Sequence, residues 1–127
     1  IERTIMGHIE RTIYDYDTLK SLAKTGAYLN FDQLGIESSY YPLNPKSYMP
    51  SDRQKIEFIK AISDAGFNDK LLLGHDIYSK NRLKKYGGHG YSHTFESLLN
   101  RMESIGIKKE KINEIIIENP KKILAFE

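Results

Sequence analysis

The segment Lys70-Leu71-Leu72-Leu73-Gly74-His75-Asp76 places three consecutive leucines directly ahead of a glycine, an imidazole and a carboxylate. An apolar run this short, ending this abruptly, reads as a strand buried on both faces, the kind found in parallel sheets. A carboxylate directly after such a strand stands at its C-terminal end, where α/β folds and β/α barrels do their chemistry. Asp76 is therefore a candidate functional residue, as a metal ligand or a base. The competing reading is a turn or helix cap, which Asp often supplies. Side chains alternate along a strand, so only one of His75 and Asp76 can face the rim.

Outward from that segment, the same grammar recurs at the start of the chain. Thr4-Ile5-Met6-Gly7-His8 reads as a short strand closed by Gly and His. Asp15 and Asp17 are cap candidates for a helix over 18–24 with Leu19, Leu22 and Ala23 on one face, and Gly26 ends it. Residues 27–32 form the next predicted strand, ending in Asp32. Residues 33–50, with three prolines and few charges, read as a long irregular loop of the kind that is usually functional. Ser51-Asp52-Arg53-Gln54 is a capping box that opens a helix to about residue 65, with Ile56, Ile59, Ala61 and Ile62 as its buried stripe. After the segment 70–76 comes a loop to about residue 92. Helices follow over 94–105 and 108–118, and Asn119-Pro120 opens a last turn with Asn as cap and Pro at its first position.

The order is β-α-β-α-β-α-α. Strands alternating with helices imply right-handed crossovers and a parallel sheet. Three strands leave two open edges, so the pattern fits part of a larger doubly wound sheet or barrel better than a complete domain. The first residue is Ile1 rather than Met, which reads as a processed product or a fragment.

Composition bounds the function. The 127 residues suffice for one modest domain with a core. Apolar content of 39% with 28% charge fits a globular rather than a disordered chain. Nineteen basic residues against seventeen acidic ones leave a net charge of +2, which is no nucleic-acid footprint. Without cysteine there is neither a disulfide framework nor thiolate chemistry, which fits a cytoplasmic protein. No apolar run approaches membrane-spanning length and no signal peptide is seen. The expected partner is thus a small molecule, not nucleic acid or membrane, and the sequence leaves a homodimer open.

His8 and Asp76 both follow strands that run the same way in a parallel sheet, so they share a rim. An imidazole and a carboxylate facing one pocket suit zinc or a similar metal, but a catalytic zinc usually has three protein ligands. Further ligands would lie in sequence outside these residues. For His8 the alternative is a strand-end histidine bonded to nearby backbone. His89-Gly90-Tyr91-Ser92-His93 spaces two imidazoles as in a helical zinc motif, yet the glycines disfavour helix and no Glu follows His89. It reads better as a Gly-rich pocket loop whose N–H groups cradle an anion, with His89 and Tyr91 near the substrate. The alternative is a connection that touches nothing. Asp32 and Gln33 are candidates for supporting the site from behind, and the tyrosines between Tyr40 and Tyr48 for a pocket wall. The lysines at 108, 109, 111, 121 and 122 read as solvated helix faces.

Together these strings resemble the C-terminal part of the phosphotriesterase family, within the amidohydrolase superfamily. They are Gly7-His8 with Glu10-Arg11-Thr12, Leu71 to Asp76, Lys85-Tyr86-Gly87-Gly88-His89-Gly90-Tyr91-Ser92-His93, and Glu118-Asn119-Pro120. The likeness covers nearly all of the chain, and the Tyr-Gly-Gly-His-Gly-Tyr-Ser-His string is its most specific part. The resemblance implies a TIM (β/α)8 barrel of which residues 1–127 form a partial domain holding strands six to eight. It implies a binuclear metal hydrolase, with two Zn²⁺ in the full-length protein and no activity in this chain alone. His8 would be a metal ligand, and Asp76 a ligand that also takes a proton from the bridging hydroxide. The family's other ligands are not among these residues. At two positions where true phosphotriesterases carry a proton relay, this sequence has Gln33 and Arg11. That departure points toward ester, lactone or amide substrates as much as phosphoesters, with an acidic group for Arg11 to meet. From the residues alone, a non-catalytic α/β anion-binding module and a small scaffold without a site remain as rivals.

Overall fold

The computed structural model describes residues 1–126. Its centre is a three-stranded parallel sheet made of β1 (Ile5–Met6), β2 (Tyr28–Phe31) and β5 (Leu71–Leu73), in the order β1-β2-β5. Ile5 stands opposite Tyr28, Leu29 opposite Leu71 and Phe31 opposite Leu73. Leu29 and Phe31 are fully buried on one face of the central strand and Tyr28, 6% exposed, is buried on the other, as in a sheet covered on both sides. Ile5 and Met6 on the β1 edge remain about 40% exposed (42% and 41%), an apolar edge without a neighbour among the described residues.

Helix α1 (Tyr16–Lys24) connects β1 to β2 and starts where the Asp15 carboxylate accepts the Thr18 N–H at 2.7 Å. The crossover from β2 to β5 runs through α2 (Asp52–Ile62), whose Ser51–Gln54 capping box is present in both directions. The leucines and isoleucines of these helices close one core with Leu98, Met102, Ile107, Ile112 and Ile115 from the C-terminal helices. Those are α3 (Leu99–Ser104), entered through the π-helical turn Thr94–Leu98, then α4 (Lys109–Asn113), the turn Glu114–Glu118 and α5 (Asn119–Leu124). No helix among the described residues is long and apolar enough to cross a membrane.

Two local expectations are corrected. Residues 33–50 are not wholly irregular: β3 (Tyr40–Tyr41) and β4 (Asn44–Tyr48) form an antiparallel hairpin. Prolines at 42 and 45 concealed it, because proline is depleted in strands and tolerated only where a ladder N–H is not needed. Polar contacts to Tyr14 and Arg11 hold it down: the Tyr14 hydroxyl donates to the Tyr48 carbonyl and lies 2.9 Å from Ser47 Oγ, which donates to the Arg11 carbonyl. Asn119 is not a cap. It lies in helical conformation, fully buried, and its side-chain amide donates to the carbonyls of Asn68 (2.8 Å) and Leu71 (2.9 Å). It thereby ties the last helix to the start of β5.

Candidate active site

His8 and Asp76 are the only non-glycine residues with positive φ among the described residues, at 54° and 45°. Left-handed backbone costs an L-residue roughly 1–2 kcal/mol, so something must hold each in place. At His8 it is Asp32, whose two carboxylate oxygens accept the His8 N–H (3.1 and 3.2 Å) while Oδ1 sits 2.7 Å from Nδ1 of the same ring. At Asp76 it is Arg82, whose guanidinium donates to the Asp76 carbonyl and, at 3.2 Å, to its Oδ2.

Asp32 also explains why both flanking strands end in Gly before His. A Cβ on Gly7 would fall 2.9 Å from Asp32 Oδ2, and one on Gly74 would fall 2.9 Å from Asp32 Cβ. The carboxylate of the middle strand fills the space that side chains on the two outer strands would need. Asn30 donates to it at 3.0 Å. With Nδ1 committed to that carboxylate, the His8 ring keeps its Nε2 lone pair free, the arrangement in which a carboxylate orients a metal-binding imidazole.

His8 and Asp76 line one cavity of about 500 Å³, together with Arg11, Gln33, Tyr41 and Arg82. The Arg11 guanidinium lies over the Tyr41 ring at 4.4 Å, and that of Arg82 over Tyr78 at 4.0 Å. Gln33 reaches Asp76 Oδ2 with its amide at a long 3.5 Å. In kind, an oriented imidazole and a carboxylate on one wall fit a divalent ion. In number they fall short, since no group of three or more His, Cys, Asp or Glu among the described residues could hold a metal.

The three glycine amides of the Gly-rich loop do not face an anion. They are spent inside the loop: Gly87 N–H donates to the Lys84 carbonyl, Gly88 N–H to that of Leu83 and Gly90 N–H to that of Arg82. His89 does not line the cavity with His8 and Asp76. Its ring packs over Gly35, and its Nε2 lies 3.3 Å from the His75 carbonyl. Tyr91 is exposed and also outside that lining. His75 and Asp76 do face opposite ways, and Asp76 is the one at the cavity. His75 turns to the other side, where Nε2 accepts from the Thr94 N–H (3.2 Å) and pairs with its hydroxyl (2.8 Å).

Burial, with the neighbouring imidazoles of His89 and His93, lowers the His75 pKa to about 4. The folded state thus binds this proton less readily than the unfolded chain, so its contribution is complete above about pH 6.5 and is lost as pH falls toward 4. Thermal melts of the full-length protein should show a drop in Tm over that window that is smaller in His75→Asn, where an amide oxygen can keep accepting from Thr94. Equal pH slopes for the two proteins would rule this out.

The sequence patterns assign no site role to four residues: Glu10, Lys55, Asp52 and Arg82. Glu10 is fully buried; its Oε1 accepts the Gln33 N–H at 2.6 Å, while its Oε2 and the Gln33 Oε1 have no partner among the described residues. Burial raises its carboxyl to about 7, against the lowering effect of backbone N–H bonds. Lys55 is also fully buried and donates to the carbonyls of Gln33 (2.7 Å) and Ile36 (2.8 Å) and to Asp52 (3.1 Å). Burial pushes Asp52 up, but the Gly35 N–H, His93 and Lys55 outweigh it and hold the carboxyl below its ordinary value. Lys55 could have been found: it occupies the i, i+4, i+7 stripe with Ile59 and Ile62. Arg82, the fourth, has no periodic signal.

Comparison with known proteins places this geometry. The profile described as Phosphotriesterase family matches residues 1–124. An N-acetyltaurine hydrolase from Dictyostelium discoideum is 46% identical over 126 residues, which is 99% of this chain and 34% of that protein. A resiniferatoxin-binding protein from Rhodobacter sphaeroides superposes with a TM-score of 0.89 at 29% identity, over 96% of this chain and 34% of the other. A lactonase from Listeria monocytogenes superposes with a TM-score of 0.79 at 26% identity, over 99% and 37%. The chain thus spans about a third of the length of the curated relatives it matches.

Proposed function

The chain belongs to the phosphotriesterase family, and from that premise we propose that the full-length protein is a metal-dependent hydrolase to which this chain contributes strands six to eight of a (β/α)8 barrel. His8, through Nε2, and Asp76 would hold divalent metal, two Zn²⁺ being the expected complement, with the remaining ligands supplied by the rest of the barrel. Bound there, the metal would polarise the scissile bond and activate water. The chain's own residues do the rest. Asp32 fixes the His8 ring, Asp76 accepts a proton from the attacking water, and the apolar wall with Met49 and Ile36 limits solvent. The observation that carries this reading is the pairing of His8 and Asp76, both in left-handed backbone, on one cavity.

Arg11 and Tyr41 support an anionic group on the substrate, and relatives named for N-acetyltaurine, a sulfonate-bearing amide, point the same way. An amide with a short acyl group and an acidic tail is the proposed substrate class, with esters and lactones as its near neighbours. Arg11→Ala in the full-length protein should raise KM for acidic amides by about 10-fold or more, the worth of one charge-assisted hydrogen bond. Neutral analogues should change little. Equal effects on both would remove Arg11 from substrate recognition.

Metal analysis tests the whole reading. The full-length protein should carry about two divalent ions per chain, lose hydrolysis on dialysis against chelator and regain it with Zn²⁺. Hydrolysis indifferent to chelation, or anion binding by these residues without metal, would replace the reading with the non-catalytic binding module.

A further inference from the structure

The Gly-rich loop spends its glycine amides on its own backbone. Its folding is self-contained, and several of its ties fall on Arg82 and the neighbouring Leu83. Arg82 N–H donates to Ser79, the Arg82 carbonyl accepts the Gly90 N–H at 2.9 Å, and Gly88 N–H closes on the neighbouring Leu83 carbonyl at 3.1 Å. Gly88 packs so tightly on the Arg82 backbone that a Cβ there would be driven into the Arg82 carbonyl. The loop is seated on the barrel side by His89, whose ring occupies the space above Gly35. The product of these ties is a guanidinium held over the Tyr78 ring at 4.0 Å and aimed at both the carbonyl and Oδ2 of Asp76.

We propose that the loop over 79–90 is a scaffold whose purpose is to present Arg82, and that Arg82 is a positioning residue for Asp76. Three features support it. The contact is to backbone and side chain together, so it sets both the left-handed φ of Asp76 and the rotamer of its carboxylate. It engages Oδ2, the oxygen that Gln33 also approaches, and so leaves Oδ1 for the cavity. Its side chain is largely buried, at 18% exposure, so the guanidinium has little freedom to leave. One guanidinium nitrogen, Nη1, serves both acceptors, and the planar group fixes the directions of its N–H bonds where an ammonium would rotate.

The inference rests on Asp76 acting as proposed above, and its test separates the two. In the full-length enzyme, Arg82→Ala should lower kcat about 100-fold with KM for acidic substrate moving less than about 3-fold. Free guanidinium in the assay should restore part of that loss. Gly88→Ala should reproduce the kcat loss by displacing the Arg82 backbone, and the double variant should be no worse than Arg82→Ala alone. A crystal structure of metal-free Arg82→Ala should show Asp76 relaxed out of left-handed φ. Additive losses, a purely KM effect confined to acidic substrates, or an unmoved Asp76 would overturn the proposal. If the wild-type protein proves not to be a hydrolase, the crystallographic arm still decides whether Arg82 positions Asp76.

Discussion

Asp76→Asn in the full-length protein is expected to lower kcat by about 10³-fold, within the range seen when a proton acceptor at the reacting water is removed. The substitution keeps the shape of the side chain and its acceptor oxygen toward Arg82. It removes the negative charge and the lone pair that takes a proton. Bound divalent metal should fall with it, because a neutral amide is a poor ligand for a hard cation. The fold should survive: Asp76 lies at the rim rather than in the core, and its carbonyl still accepts from Arg82 and from the Tyr78 N–H at 3.1 Å. Circular dichroism and a melt within a few degrees of wild type are the control. Activity within tenfold of wild type would show that Asp76 is not the proton acceptor.

Lys55→Met should be the most destabilising single change in the chain, at about 3–5 kcal/mol, the usual loss when one partner of a buried ion pair is removed. Methionine replaces the stem volume but not the three donated hydrogen bonds. The Gln33 and Ile36 carbonyls lose their donor, and Asp52 keeps a buried charge against only the Gly35 N–H and His93. Denaturant titration of the full-length protein measures the loss. Removing the stranded charge as well, in Lys55→Met with Asp52→Asn, should cost less than the two single losses added, since the charge that the first change strands is then absent. A loss under about 1 kcal/mol would mean that the pair contributes little beyond packing. Because Gln33 and Ile36 both line the cavity, the same variant should also perturb hydrolysis, linking the buried cation to the proposed site.

Much of the architecture was legible residue by residue. Capping at Ser51 and Gln54, the glycine stops and the two apolar runs ending in Gly-His are local signals, and the helices and parallel strands appear where those signals put them. The hairpin over 40–48 was not legible, because prolines at 42 and 45 interrupt it and its tie to the rest of the chain comes from the distant Tyr14. The loop over 84–93 was legible as a loop but not in its use. Glycine marks where backbone can turn or approach closely; whether it approaches an anion or its own Arg82 depends on what the fold brings beneath it.

At the rim, alternation along β5 said that His75 and Asp76 part ways, but which of them meets the cavity depends on what lies on each side of the sheet. Likewise Asp32 could be seen to end a strand, while its grip on His8, twenty-four positions away, could not. The order of elements, the parallel connections and the placement of an imidazole and a carboxylate at strand ends were determined by the sequence alone, because near-neighbour periodicity and turn chemistry encode them. The partners that hold those groups, Asp32 for His8, Arg82 for Asp76 and Lys55 for Asp52, were decided only by tertiary structure. Hydrogen-bond geometry and burial depend on which side chains the packed elements bring together, and even partners close in sequence meet only once that packing has set their direction.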